Sequence, residues 1–195
     1  MDEIPFIFLD LHDVIAGYVL ELISRYGWPE NPKAWTLHRM FPNVDWVTHF
    51  SEPHHAEFLR NLSPISGAVE GTKGLAEIGP VRILTATKPG GESDRVTRQW
   101  VHHYLGPDIP VICTGSALEK VAWINRNVVK YNIAAYVVDD HPVVLSQLTR
   151  EENGLRVIRF KAPWNDHPEL DHLVTVRNWD ELETLIRINI GGYYE

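Results

Sequence analysis

Cysteine is almost absent from this sequence. Cys113 is the only one in 195 residues, which excludes an internal disulfide and suits a reducing compartment. Long apolar runs are lacking as well. The acidic opening Met1-Asp2-Glu3-Ile4-Pro5 leads into only a handful of apolar residues, so neither a secretory leader nor a membrane span is expected. Positive charge is scarce, with 18 Lys and Arg against 26 Asp and Glu, a formal net charge of −8. Such a chain lacks the basic face that a nucleic-acid polymer or an anionic membrane requires. A single nucleotide stays admissible as a ligand, because a bound cation offsets local charge. Internal repeats and low-complexity segments are also missing. The expectation is a cytoplasmic globular protein with a small-molecule ligand, as a monomer or a homodimer.

What is present supports one packed domain with a small insertion: 44% of residues are hydrophobic and 23% charged, ordinary values for a globular chain. Phe6-Ile7-Phe8-Leu9 is a short β-forming run that ends at Asp10. Helical spacing follows from about Val14 to Tyr26, with Gly27 as a stop. From Trp28 to Asn61 the texture changes to short, proline-punctuated segments dense in Trp, Phe and His. Alternation then resumes. Helices are expected over Ala68–Ile78, Asp94–Tyr104 (Asp94 as N-cap), Ala117–Val129, Pro142–Leu148 and Trp179–Ile188, the last with Asp180 near its cap. Strands are expected over Val81–Leu84 ending at Thr85, Val111–Cys113, Ile133–Val138 ending at Asp139, and Leu155–Phe160. Strands alternating with helices predict an α/β fold: a Rossmann-like parallel sheet flanked by helices. The expected core comprises residues 1–15 and 79–195, with residues 16–78 as a small helical cap.

In such sheets ligands bind beyond the carboxyl ends of the strands, where Asp10, Thr85 and Asp139 fall. Asp10 with Asp139 and Asp140 suits a hard cation such as Mg²⁺, which prefers oxygen ligands; the plainer alternative is separate solvated acids or helix caps. Thr85, followed by Ala86-Thr87-Lys88-Pro89-Gly90-Gly91, offers a hydroxyl and backbone amides to a phosphate, or is simply a turn former. Lys120 is able to neutralise a phosphoryl oxygen, or is a solvated lysine on a helix face.

Taken in order, these segments resemble the motifs of the haloacid dehalogenase superfamily. Phe6 to Val14 resembles its first motif, an apolar strand ending in Asp-x-Asp. Ile83-Leu84-Thr85 resembles the second, Lys120 stands as the third, and Val137-Val138-Asp139-Asp140 resembles the fourth. The sequence looks most like the 5′(3′)-deoxyribonucleotidases, through Leu62 to Glu70, Asp139-Asp140-His141-Pro142 and Val176-Arg177-Asn178-Trp179. The resemblance implies Mg²⁺-dependent hydrolysis of a nucleoside monophosphate, with Asp10 attacking phosphorus to give an aspartyl-phosphate that water cleaves. It further implies Mg²⁺ held by Asp10, Asp139 and the main-chain carbonyl of His12, with Asp140 supporting that metal set. Thr85, Ala86, Lys88 and Lys120 would carry the phosphoryl oxygens.

The sequence departs from the family at one place. Where the pattern is Asp-x-Asp-Gly, this chain reads Asp10-Leu11-His12-Asp13, so the general acid/base position holds histidine. Three readings stay open: His12 transfers the proton itself, Asp13 reaches in with a local backbone shift, or the acid is missing. The last would leave a slow phosphatase, a nucleotide-binding or regulatory protein, or a hydrolase of a different leaving group. Leu11-His12-Asp13 and Asp140-His141 also bring to mind the His-Asp phosphohydrolases, whose ligands come from helices; here the first His-Asp follows an apolar strand.

Trp28, Trp35, Phe41, Trp46, Phe50 and Phe58 lie in the insertion. One or two are expected to face the ligand, the rest forming the insertion's own core. The adjacent pairs His54-His55 and His102-His103 point in different directions on a helix and make poor chelates.

Overall fold

The computed structural model describes residues 4–34, 36–148 and 154–191; Trp35, named above, lies outside them. Six strands form one sheet: β1 (Phe6–Leu9), β2 (Val81–Thr85), β3 (Val111–Cys113), β4 (Ala135–Asp139), β5 (Leu155–Phe160) and β6 (Val174–Val176). All neighbouring strands pair in parallel, in the order β3-β2-β1-β4-β5-β6. The helices are α1 (Tyr18–Tyr26), α2 (Leu37–Met40), α3 (Trp46–His49), α4 (His54–Arg60), α5 (Ala68–Ala76), α6 (Glu92–Leu105), α7 (Ala117–Asn127), α8 (Pro142–Leu148) and α9 (Trp179–Gly191). The α/β expectation holds, and a mostly helical His-Asp architecture is excluded. No described helix is long and apolar enough to cross a membrane.

Strand periodicity splits the core into two layers. Side chains alternate across a pleated sheet, so Ile7 and Leu9 of β1 join one buried cluster with Trp179, Leu182 and Ile186 of α9. Phe8, between them, joins the other with Val121 and Ile124 of α7 and Val144 and Leu148 of α8. Both faces of the central strands are therefore covered, as parallel sheets require. The α5 helix, although inside residues 16–78, lies on the sheet side against α9 and β2. Its approach depends on Gly71, where a Cβ would stand 2.4 Å from Cε3 of Trp179.

Several expected boundaries move, each for a local reason. The first helix starts at Tyr18, not Val14, because Asp13 takes a left-handed φ of 57° and turns the chain. Leu11–Ala16 closes instead into a tight loop, with the Ala16 amide donating to the Leu11 carbonyl at 2.8 Å. Asp94 is not the N-cap of α6: Gly91 is, and Asp94 reaches back from the first turn to accept from the Gly90 amide. Asp180 does not cap α9; the Asn178 side chain accepts from the Glu181 amide. The α7 helix stops at Asn127 and a 3-10 turn, Val129–Tyr131, follows. The edge strand β6 and the 3-10 turn Pro163–Asn165 were not expected from the sequence.

Candidate active site

Strand order reverses at β1, which has β2 on one side and β4 on the other. Chain crossings leave in opposite directions there, opening a crevice at the carboxyl ends of the strands. Asp10 follows β1 directly, its amide still bonded to the Val138 carbonyl of β4 at 2.9 Å. Asp139 ends β4 and Asp140 comes next. The three carboxylates offer oxygens that all lie within 4.8 Å of one another, and all three residues are buried.

Lys120 enters from α7, fully buried, and its ammonium lies 2.6 Å from Asp10 Oδ1 and 2.9 Å from Asp139 Oδ2. Burial opposes its charge, but Asp10 and Asp139 outweigh it and hold the ammonium protonated. The remaining oxygens are placed individually. The Leu11 amide donates to Asp10 Oδ1, the His141 amide to Asp139 Oδ1, and the Trp164 indole N–H to Asp140 Oδ2 at 2.7 Å. Asn165, beside Trp164 in its 3-10 turn, donates to the Asp140 carbonyl and fixes that loop. Asp10 Oδ2 and Asp140 Oδ1 receive no hydrogen bond among the described residues.

Burial raises the pKa of Asp139, partly offset by Lys120, and pushes that of Asp140 far up, with Asp13, Asp10 and Asp139 adding to it. When all three carboxylates are ionised against one ammonium, two negative charges stay uncompensated in a buried site. A divalent cation would cancel them, and an all-oxygen set with two free oxygens suits a hard cation. The residues present therefore fit Mg²⁺.

The cluster floors a cavity of about 660 Å³. Ala86 and Lys88 line it, whereas Thr85 is fully buried, with its hydroxyl 3.3 Å from that of Thr87. Thr87, passed over in the sequence, is the one on the wall. His12 and Asp13 also line it. Burial, then the proximity of His55 and Lys120, lowers the His12 pKa to about 3, and its Nε2 is buried with no hydrogen-bond partner among the described residues. Burial raises the Asp13 carboxyl to about 7, although it accepts from the Val19 amide at 2.9 Å. The lone cysteine has no place in this chemistry: burial and Asp94 push the Cys113 thiol up to about 12.

Of the described insertion aromatics, Phe50 lines the cavity. Phe41 and Phe58 are buried in the core, Trp28 is exposed, and Trp46 stacks on Phe50 with centroids 5.5 Å apart. Other lining rings are Tyr18 at the start of α1 and Trp164, which the sequence did not advertise, and His55 on α4, one of the adjacent histidines noted above. Tyr18 joins the His pair of the insertion, its hydroxyl 2.9 Å from His49 Nε2 and 3.4 Å from His55 Nε2. His55 Nδ1 lies 3.1 Å from Ser93 Oγ, which donates to Glu52 at 2.6 Å. This chain of contacts ties the α4 region to the first turn of α6. His54 turns away to Ser51, as adjacent helical residues do.

No family model and no curated protein matches this chain. Solved structures do. A haloacid dehalogenase-like family hydrolase from Streptococcus pneumoniae superposes with a TM-score of 0.58 at 14% identity, covering 100% of both chains. An L-2-haloacid dehalogenase gives 0.56 at 12% identity, over 94% of this chain and 100% of its own. A D,D-heptose 1,7-bisphosphate phosphatase from B. bronchiseptica, complexed with magnesium and phosphate, gives 0.54 at 8% identity, over 95% and 99%. Likeness at such low identity speaks to architecture, and the architecture of this chain is the haloacid dehalogenase-like fold.

Proposed function

We propose that this protein is a Mg²⁺-dependent phosphohydrolase that removes phosphate from nucleoside or deoxynucleoside monophosphates through an aspartyl-phosphate. The observation that carries the reading is the buried constellation of Asp10, Asp139, Asp140 and Lys120 at the strand-order reversal. The phosphatase among the structural neighbours, bound to magnesium and phosphate, supports it by likeness of fold.

In this reading a carboxylate oxygen of Asp10 attacks phosphorus. The bond to the leaving oxygen breaks and that oxygen takes a proton. Water then attacks the phosphorus of the acyl phosphate, loses its proton, and Asp10 is regenerated as inorganic phosphate leaves. When bound to Asp10, Asp139 and the His12 carbonyl, with Asp140 in support, Mg²⁺ supplies charge neutralisation for the approach of carboxylate to phosphate. Lys120 holds Asp10 in place, and the Ala86–Lys88 segment receives the phosphoryl oxygens. His12 stands in the acid/base position and Asp13 beside it. A carboxyl near neutrality is matched to proton transfer, which brings Asp13 into that role alongside His12.

The test is phosphate release from a panel of deoxynucleoside monophosphates with Mg²⁺, from mildly acidic to mildly alkaline pH, for wild type and Asp10→Asn. Turnover lost in the variant supports the reading. Absence of wild-type turnover above the variant at every pH would favour a nucleotide-binding protein that has lost its acid, the outcome that the histidine at position 12 makes worth testing.

A further inference from the structure

Three buried side-chain polar atoms find no hydrogen-bond partner among the described residues: His12 Nε2, Thr36 Oγ1 and Thr72 Oγ1. Unpaired buried polar groups are uncommon and call for an explanation, such as a ligand. Thr72 lies in α5 away from the cavity. His12 and Thr36 both line it, one from the loop after β1 and the other from the insertion. Thr36 is the more informative, because it stands in the insertion, apart from the acidic cluster. It is the N-cap of α2, where a threonine oxygen ordinarily accepts an amide of the first turn. Here the Thr36 carbonyl takes the Arg39 amide at 2.9 Å, and the hydroxyl makes no capping bond. Val19, Leu37, Met40 and Phe50 give the same cavity apolar lining, with His38 and Glu52 among its polar groups.

We infer that Thr36 is a specificity-determining residue, whose hydroxyl hydrogen-bonds a polar group on the leaving portion of the substrate while the apolar wall packs against that portion's flat or apolar face. The inference rests on the phosphohydrolase reading and narrows its substrate class. The preferred ester has a leaving group with an apolar face and an outward donor or acceptor, as a nucleoside has. A purely apolar alcohol of similar reach leaves Thr36 unpaired and is disfavoured, since a site built to bond a polar group discriminates against analogues that lack it.

The test compares wild type, Thr36→Val and Thr36→Ser in two measurements. The first is the ratio of kcat/KM for deoxynucleoside monophosphates to kcat/KM for phenyl phosphate, whose leaving group carries an apolar ring and no further polar substituent. Thr36→Val is expected to lower this ratio by about tenfold or more, and Thr36→Ser to restore most of it. The second is the melting temperature without ligand, expected unchanged or raised in Thr36→Val, because the variant buries a methyl in place of an unpaired hydroxyl. A ratio that does not move overturns the inference, and so does a melting temperature several degrees lower, which would show the hydroxyl to be structural. Phenyl phosphate turnover reports separately on the phosphohydrolase reading. Should that turnover be missing, the rise in melting temperature produced by a deoxynucleoside monophosphate with Mg²⁺ replaces the ratio. A smaller rise in Thr36→Val than in wild type then supports Thr36, and equal rises, or none in wild type, overturn it.

Discussion

Lys120 and Asp10 face each other at 2.6 Å with both side chains withdrawn from solvent. The lysine is the one cation placed against both Asp10 and Asp139 among the described residues. Removing one partner of a buried pair leaves an uncompensated charge, at a cost of about 3–5 kcal/mol. Lys120→Met is expected to destabilise by that order in denaturant unfolding without divalent cation. Mg²⁺ should recover more stability in the variant than it adds to wild type. Equal gains from Mg²⁺ in both would show that cation and lysine do not share the same charge cluster.

Proton transfer is separable by two substitutions. Asp13→Asn keeps a residue that tolerates the left-handed φ of 57° and an oxygen for the Val19 amide, so the turn survives while the proton is lost. Its kcat is expected to fall by about 10²–10⁴, with His12→Ala losing less. The reverse order in steady-state assays would return the acid/base role to His12.

Stability should depend on pH through His49, which burial, then His55 and Arg25, depress to about 4 from 6.5. Above 6.5 the ring is neutral folded or unfolded and contributes no slope. Between 6.5 and about 4 the unfolded chain binds a proton that the folded one refuses, so stability falls as pH falls, by roughly 1–3 kcal/mol in total. His49→Gln should flatten that part of a melting-temperature profile. A profile with the wild-type slope would remove His49 as its source.

Gly71→Ala probes how closely α5 seats on α9. The added Cβ would meet Trp179 Cε3 at 2.4 Å, far inside contact distance, and overpacking of this kind costs about 1–3 kcal/mol. The expected result is a lowered urea midpoint with no change in slope. An unaltered midpoint would mean that Trp179 swings aside freely.

How much of this was legible depends on how local the signal is. The runs ending at Asp10 and Asp139 stood out because a central parallel strand is apolar on both faces, and both acids lie where the fold brings strand ends together. Lys120 was visible only in company: a lysine at one helical position says nothing until the opposing carboxylates are placed. Thr36 and Tyr18 were not identified, and His55 was weighed only as half of a poor chelate. The segments bearing them are short, and their position is set by packing on the core, which leaves no periodic trace. The left-handed turn at Asp13 hid the true start of α1 behind residues whose spacing still looks helical. The three residues of β6 are too few to show a period.

The indole N–H of Trp179 donates to the Val14 carbonyl at 2.8 Å, joining residues 165 apart in sequence. Val14 belongs to the loop that carries His12 and Asp13, and the bonding partner begins the last helix. During synthesis β1 emerges well before Trp179, so the loop beside it lacks this anchor until α9 has followed. A nascent polypeptide lacking α9 would thus carry the acidic residues without this tie on the loop beside them.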